Sequence, residues 1–121
     1  MKVLLVDDDE FLVDMYATKF TESGHTVDTA TSIESALDKL SKQKDFDVVL
    51  LDMVMPGMTG AELVKKICSD GLGGSPKCIM LSNQSEEQDI QAAISAGASG
   101  YIVKATMIPS EVVAKVTELA G

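Results

Sequence analysis

Basic side chains are in short supply in this sequence. Ten lysines, with no arginine, stand against nineteen aspartates and glutamates among 121 residues, so the formal net charge at pH 7 is −9. Because neutralising a row of phosphates requires clustered Lys and Arg, we expect no direct binding of nucleic acid. The same negative charge disfavours binding to an anionic membrane surface.

Long apolar runs are also missing. No stretch approaches the roughly 18 residues that a membrane span needs. Residues 1–6 have the pattern of a short strand rather than that of a secretion signal. The sequence therefore predicts a soluble, cytoplasmic protein with no membrane partner.

Cysteine and histidine are too sparse for the usual metal or nucleophile motifs. Cys68 and Cys78 form no C-x-x-C pair and have no histidine nearby, which excludes a typical zinc site. We interpret them as reduced thiols in or beside the core. His25, the only histidine, lies between a helix pattern and a strand pattern, so it is expected in a turn. Histidine-based catalysis is correspondingly disfavoured.

What the sequence does contain is a regular alternation of two patterns. A chain of this length fits one domain, which we expect to span residues 1–121. Five helix patterns alternate with five short apolar runs, which predict strands at residues 2–6, 26–30, 47–51, 77–81 and 100–103. This alternation indicates an α/β fold, with a parallel sheet covered on both faces by right-handed crossovers.

Helix boundaries are well marked. Capping boxes are predicted where Thr or Ser is followed three residues later by Glu or Gln, at residues 31–34, 59–62 and 85–88. Gly97 suits the left-handed end of the fourth helix, and Pro109 suits the first turn of the fifth. The first helix, expected to stop at Gly24, carries apolar residues mostly three or four positions apart: Phe11, Leu12, Met15, Tyr16 and Phe20.

Polar residues follow several of the predicted strands at once. In open parallel sheets, ligands bind beyond the carboxyl ends of the strands. The residues at those ends are Asp7, Asp8, Asp52, Ser82 and Lys104. We therefore expect a binding site at this edge of the sheet.

The aspartates do not all need a functional explanation. Asp9 is best explained as the cap of the first helix, a role that Asp7 or Asp8 could also fill. Asp52 lies seven residues before the Thr59 cap, so capping does not account for it, although an Asx-turn could.

A cation would explain the acidic cluster. If Asp7, Asp8 and Asp52 lie together unpaired, at least one of their pKa values must rise, at a cost in stability. Mg²⁺ takes oxygen ligands and typically binds one or two carboxylates together with phosphate oxygens. Lys104 could supply a positive charge to a phosphoryl oxygen, and Ser82 could donate a hydroxyl hydrogen bond to another.

The sequence resembles the receiver domain of bacterial two-component response regulators over essentially the whole chain. Several separated motifs carry this resemblance, and they occur in the order typical of that family. They are Val6-Asp7-Asp8, Leu50-Leu51-Asp52-Met53, Met55-Pro56-Gly57-Met58-Thr59-Gly60, Ser82 and Gly97-Ala98-Ser99-Gly100-Tyr101-Ile102-Val103-Lys104. The resemblance implies a flavodoxin-like (βα)5 fold with strand order 2-1-3-4-5.

The resemblance also implies a role for each site residue. Asp52 would be the phosphoacceptor. Mg²⁺ would be held by Asp7, Asp8, Asp52 and the backbone carbonyl of Val54. Ser82 and Lys104 would contact the phosphoryl group, and Tyr101 matches the aromatic position that turns inward on activation.

By the same resemblance, the protein is a phosphoacceptor rather than a conventional enzyme. The phosphoryl donor would be a sensor histidine kinase, a histidine phosphotransfer protein or a small acyl phosphate, and self-dephosphorylation would reset the switch. Output to a downstream protein or an effector domain would pass through the fourth helix, fifth strand and fifth helix.

The chain departs from the family pattern at two positions. Ala105 follows Lys104 where the family usually has a proline joined by a cis bond, so we expect either a trans bond with a reshaped loop or a costly cis bond. Asn83 replaces a small residue and could narrow phosphoryl access. Because neither Val54 nor Gln84 is a good general base, slow self-dephosphorylation is expected.

Three other functions compete with this interpretation. A magnesium-dependent aspartyl phosphatase of the haloacid dehalogenase type would need Asp and Thr where this chain has Val54 and Pro56. A phosphorylation-independent receiver, acting only as a protein-binding module, is compatible with Asn83 and Ala105. A nucleotide-binding module is disfavoured because the glycine-rich stretch at 71–76 precedes a strand instead of following one.

Overall fold

Five parallel strands form the centre of the protein in a computed structural model that describes residues 1–121. They are β1 (Lys2–Val6), β2 (Thr26–Ala30), β3 (Val48–Leu51), β4 (Lys77–Ser82) and β5 (Gly100–Val103). Their order is β2-β1-β3-β4-β5, and every neighbouring pair is parallel. The predicted α/β fold and strand order are confirmed.

Five helices connect and flank the strands: α1 (Glu10–Glu22), α2 (Ile33–Lys42), α3 (Gly60–Asp70), α4 (Glu87–Ala96) and α5 (Pro109–Ala120). Short 3₁₀ turns at Leu72–Gly74 and Lys104–Thr106 complete the regular structure. No helix combines the length and the apolar character that crossing a bilayer would require.

The sheet is apolar on both faces because its three central strands are covered from both sides. Successive side chains of a strand point to opposite faces, so each strand contributes to two separate cores. Towards α2, α3 and α4 lie Leu4, Val6, Val49, Leu51 and Met80. Towards α1 and α5 lie Val3, Leu5, Val48, Leu50, Ile79 and Leu81. This two-sided burial accounts for the continuous apolar runs that the sequence shows in β1 and β3.

Two of the predicted helix starts need correction. The N-cap of α2 is Ser32 instead of Thr31, and the Ser32 hydroxyl accepts a hydrogen bond from the backbone N–H of Ser35 at 3.1 Å. Ser85 does not cap α4, whose N-cap is Glu86 and has no side-chain hydrogen bond. Each error is one residue, because adjacent polar residues offer alternative caps and the surrounding loop decides between them.

Other helix boundaries follow the prediction. Thr59 and Glu62 form the capping box of α3, Gly97 ends α4 with φ of 116°, and Pro109 opens α5. Asp9 caps α1 by accepting backbone hydrogen bonds from the first turn of that helix. The α1 helix ends at Glu22, slightly before the expected stop at Gly24.

Phe11 does not share the buried face of α1. The buried residues of this helix are Val13, Tyr16 and Phe20, which are three and four positions apart. Phe11 precedes Val13 by only two positions, so it points away from that face and is 76 % exposed. The apolar side chain of Phe11 is therefore not evidence that residue 11 belongs to the buried face of α1.

The cysteines and the histidine take no part in the site described below. Cys78 is buried and Cys68 is exposed, and both are free thiols. Burial raises the pKa of the Cys78 thiol to about 12, so this thiol stays protonated at neutral pH. His25 lies just after the end of α1, where its Nδ1 is 3.1 Å from the N-terminal amine.

The segment between β3 and α3 is anchored by a close approach at Gly60. The backbone N–H of Gly60 donates to the carbonyl of Met53 at 2.8 Å. A Cβ atom at residue 60 would lie 2.3 Å from the backbone oxygen of Asp52 and 2.5 Å from Cε of Met80. Only glycine allows α3 to begin this close to the end of β3.

Gly60→Ala is expected to destabilise the protein by about 1–3 kcal/mol, because the added methyl must displace backbone atoms of the segment that carries Asp52. Chemical denaturation measures this change. Ser69→Ala, at an exposed position of the same helix, is the matched control and should change stability by less than about 0.5 kcal/mol. Equal stability of the two variants would contradict the close approach at Gly60.

Candidate functional site

The pairing of β1 with β3 places two aspartates side by side. Val6 is paired with Leu51, the last residue of β3. The next residues are Asp7 and Asp52. The backbone N–H of Asp52 donates to the carbonyl of Val6 at 3.1 Å, while that of Asp7 donates to Ala30 at 3.2 Å. Both carboxylates therefore leave the same edge of the sheet.

The three aspartates expected to form a cluster do so. Carboxylate oxygens of Asp7, Asp8 and Asp52 lie within 4.8 Å of one another. Asp7 is buried, Asp52 is partly buried and Asp8 is exposed, so the cluster opens to solvent on one side. Three oxygen donors with an open side match the ligand preference of Mg²⁺, which binds few protein oxygens and keeps water.

Lys104 reaches into this cluster from the end of β5. Its ammonium Nζ lies 2.7 Å from Oδ2 of Asp7 and 3.3 Å from Oδ2 of Asp52. Burial tends to lower the pKa of Lys104, but the hydrogen bond to Asp7 and the charges of both carboxylates outweigh it, so the pKa is raised. Lys104 therefore carries a positive charge at any physiological pH.

One ammonium does not balance the cluster. Burial raises the pKa of Asp7 above its ordinary value, and the nearby charge of Asp52 adds to the rise, even though Lys104 and the backbone N–H of Asp9 act to lower it. With all groups ionised, three carboxylates and one ammonium leave two net negative charges. A divalent cation would cancel this excess, so the residues fit Mg²⁺ in charge as well as in donor type.

Ser82 and Tyr101 lie on the two neighbouring strands next to the cluster. Ser82 ends β4, is paired with Val103 and is 1 % exposed. Its hydroxyl oxygen accepts a hydrogen bond from the backbone N–H of Gln84 at 3.2 Å. The hydroxyl of Tyr101 donates to the carbonyl of the same Gln84. Burial raises the pKa of Tyr101, which therefore remains a neutral donor.

Val54 lies beside Asp52, as the resemblance requires. Its backbone N–H is 3.4 Å from Oδ1 of Asp52, and its side chain is 57 % exposed. The expected role of its carbonyl as a magnesium ligand stays a prediction.

The peptide bond between Lys104 and Ala105 is trans, as are all others in the chain. Of the two alternatives left open by the sequence, the trans bond with a reshaped loop is therefore the one adopted. Residues Lys104–Thr106 form a 3₁₀ turn. The N–H of Ala105 donates to the side-chain oxygen Oδ1 of Asn83 at 3.0 Å, a contact that the sequence did not indicate.

Tyr16 lies near the site, although the sequence indicated only that it belongs to the first helix. It is 6 % exposed and lines a small cavity together with Asp7 and Asp52. Burial raises the pKa of Tyr16, and the charge of Lys104 partly offsets this rise. Its helical spacing predicts burial but carries no signal of proximity to the site.

Asp7→Asn is expected to raise the midpoint of thermal unfolding by about 3–5 °C at pH 7, measured with EDTA present to remove metal ions. For a chain of this size, such a shift corresponds to about 1 kcal/mol in the free energy of unfolding. Because the pKa of Asp7 is raised in the folded protein, its ionised form opposes folding above that pKa. The gain should disappear as the pH falls through this pKa, where wild-type Asp7 is itself protonated.

Asp9→Asn is the control for this comparison. It removes one carboxylate from the same loop, outside the cluster, and asparagine is an equally good N-cap. The two variants are compared by thermal unfolding between pH 3 and pH 7. If Asp7→Asn lowered the midpoint at pH 7, the excess of negative charge in the cluster would be disproved.

Comparison with known proteins agrees with this geometry. The family model of the response regulator receiver domain matches residues 3–117. The two-component response regulator PhoP of Pseudomonas aeruginosa is 34 % identical over 104 residues, which are 86 % of this chain and 45 % of that protein. The response regulator SaeR of Staphylococcus aureus is 34 % identical over 117 residues, covering 97 % of this chain and 49 % of that protein.

The chain thus spans about half the length of the curated relatives it matches. Among solved structures, the chemotaxis protein CheY4 of Vibrio cholerae superposes with a TM-score of 0.88 at 30 % identity, over 98 % of this chain and 97 % of that chain. The match of the family model across nearly all residues, together with these relatives, shows that this chain belongs to the receiver domains of two-component response regulators.

Proposed function

We propose that Asp52 accepts a phosphoryl group in a magnesium-dependent reaction and that the phosphorylated form changes the binding of a partner. The observation that carries this proposal is the contact of Lys104 with both Asp7 and Asp52 inside a cluster of three carboxylates. Such a site pairs a carboxylate nucleophile with the positive charge that a phosphoryl group needs.

The residues of the chain account for each requirement of the transfer. A carboxylate oxygen of Asp52 attacks phosphorus in line, the bond from phosphorus to the donor breaks, and the donor leaves with the electron pair. The ammonium of Lys104 is close enough to Asp52 to neutralise charge on a phosphoryl oxygen. The hydroxyl of Ser82 can donate to another oxygen once its contact with Gln84 rearranges.

Asp7, Asp8 and Asp52, with the carbonyl of Val54, would hold the Mg²⁺ ion that receiver domains typically bind at an acidic pocket. When bound, the ion supplies positive charge to the phosphoryl oxygens. Within the protein, the carboxylate of Asp7 has a second task, since it holds the ammonium of Lys104 at 2.7 Å.

Response regulators receive phosphoryl groups from histidine kinases. For this chain we propose a phosphohistidine on a sensor kinase or on a histidine phosphotransfer protein as the donor, with small acyl phosphates as substitutes in vitro. An exposed phosphoacceptor edge supports a protein donor, because Asp8 and the side chain of Val54 both face solvent there.

The proposed switch uses the segment between β4 and α4. Gln84 joins Ser82 to Tyr101, since its N–H donates to Ser82 and its carbonyl accepts from Tyr101. A phosphoryl group that binds the Ser82 hydroxyl would weaken the contact between Ser82 and Gln84. The hydrogen bond from Tyr101 to Gln84 would then be free to break. The Tyr101 ring and the surface of α4, β5 and α5 would then adopt the arrangement that a downstream protein or effector domain recognises.

Incubation with acetyl phosphate and Mg²⁺ is expected to add the mass of one phosphoryl group to the intact protein. Asp52→Asn should abolish the gain, because an amide cannot form the acyl phosphate. EDTA should slow it by at least about tenfold, since the acidic cluster then repels the anionic donor. Intact-mass spectrometry measures all three reactions.

Asp9→Asn is the matched control and should be phosphorylated as fast as the wild type, because asparagine keeps both the cap of α1 and the backbone N–H that Asp9 donates to Asp7. A wild-type protein that gains no mass with acetyl phosphate and Mg²⁺ would refute the phosphoacceptor role. The chain would then be better described as a protein-binding module that works without phosphorylation.

Hydrolysis of the phosphorylated protein is expected to be slow, with a lifetime of many minutes or longer. The side chain of Val54 beside Asp52 is apolar, and Gln84 is neutral, so neither can act as a general base for the attacking water. The decay is followed by intact mass after acetyl phosphate is removed. Complete loss within seconds would contradict this expectation.

A further inference from the structure

A single hydrogen bond joins the two loops that carry Ser82 and Lys104. The side-chain oxygen Oδ1 of Asn83 accepts from the backbone N–H of Ala105 at 3.0 Å, across 22 positions of sequence. Asn83 follows Ser82 directly, and Ala105 follows Lys104 directly. The bond therefore connects the immediate neighbours of two residues assigned to the phosphoryl group.

Lys104 needs such a restraint. Its long side chain must place one ammonium between Asp7 and Asp52, although the residue lies in a short 3₁₀ turn. Within the turn, the N–H of Met107 donates to the carbonyl of Lys104 at 3.4 Å, and the hydroxyl of Thr106 donates to the carbonyl of Val103 at 2.8 Å. Both of these bonds lie within residues 103–107. Ala105 is exposed and its methyl side chain can anchor little, so its N–H is the group that ties the turn to another segment of the chain.

The other end of the connection is itself restrained. Gln84, the residue after Asn83, is bonded through its N–H to Ser82 and through its carbonyl to Tyr101. The amide of Asn83 therefore extends from a loop already tied to β4 and β5. Alanine at residue 105 has the backbone N–H for this bond, which a proline there would lack.

We propose that Asn83 is a positioning residue that holds Lys104 at the phosphoacceptor site through the backbone N–H of Ala105. This inference rests on the proposed function of Asp52, and it assigns a shared role to the two residues in which the chain departs from its family. If the Asn83 side chain only shielded Asp52, its removal would speed phosphorylation. Loss of a positioning contact would slow phosphorylation instead, so the two roles can be distinguished.

A double-mutant cycle of Asn83→Ala and Ala105→Pro tests the proposal. Phosphorylation by saturating acetyl phosphate with Mg²⁺ should slow about 3- to 10-fold in Asn83→Ala, the range expected for one lost hydrogen bond. In the Ala105→Pro background, which has no N–H at residue 105, the same substitution should change the rate less than twofold. Ser85→Ala, at an exposed position of the same loop, should leave the wild-type rate unchanged.

Two results would overturn the proposal. Faster phosphorylation of Asn83→Ala would mean that the side chain only restricts access to Asp52. If Asn83→Ala slowed phosphorylation equally in the wild type and in the Ala105→Pro variant, the Asn83 side chain would not act through the N–H of Ala105.

Amide hydrogen exchange tests the same bond without any phosphorylation. Exchange at Ala105 should accelerate about tenfold or more in Asn83→Ala and stay protected in Asn83→Asp, which keeps an acceptor oxygen. The amide of Asp52, bonded to Val6, is the internal reference and should not change. Unchanged exchange at Ala105 in Asn83→Ala refutes the positioning role even if Ala105→Pro fails to fold. Lack of phosphorylation of the wild type refutes the proposed function instead.

Discussion

Parallel pairing of β1 with β3 is the constraint on which the site depends. Because Val6 and Leu51 are paired, the strands end at the same level, and Asp7 and Asp52 leave the sheet together at one edge. A shift of one residue in this pairing would turn every side chain of one strand to the other face. Both cores oppose such a shift, since Leu4, Val6, Leu51 and their neighbours are almost completely buried. The burial that stabilises the fold therefore also sets the geometry of the carboxylates.

The resulting site opposes the stability of the protein that contains it. Burial raises the pKa of Asp7, and the single ammonium of Lys104 serves both Asp7 and Asp52. An arrangement chosen only for stability would replace one carboxylate by a neutral group. In the proposed function the uncompensated charge has a use, because it would favour binding of a cation beside Asp52. The imbalance that costs folding free energy would then favour the binding of the metal and the phosphoryl group that we propose for this site.

Beyond the carboxylates, the site is connected to the rest of the domain by side-chain to backbone hydrogen bonds. Tyr101 and Asn83 tie the β4–α4 segment to β5 and to the turn that follows it. These contacts are few and exposed, so they can be exchanged without disturbing either core. In the proposed switch, this separation of a rigid sheet from adjustable loops would allow a local charge change at Asp52 to alter the surface of α4, β5 and α5.

The sequence by itself determined the strands, their parallel arrangement and the carboxylates at their ends, because apolar runs and helix caps are local signals. It also identified Asp7, Asp8 and Asp52 as a cluster, since parallel strands of one sheet end at a common edge. It wrongly predicted Thr31 instead of Ser32 as the cap of α2, and it did not detect the exposure of Phe11 or place Tyr16 beside Asp7. Nor did it decide between a trans and a cis bond before Ala105, or indicate the contact of the Ala105 N–H with Asn83. Those features depend on which distant segments meet, and only the tertiary structure brings residues 83 and 105, or 7 and 104, within hydrogen-bonding distance.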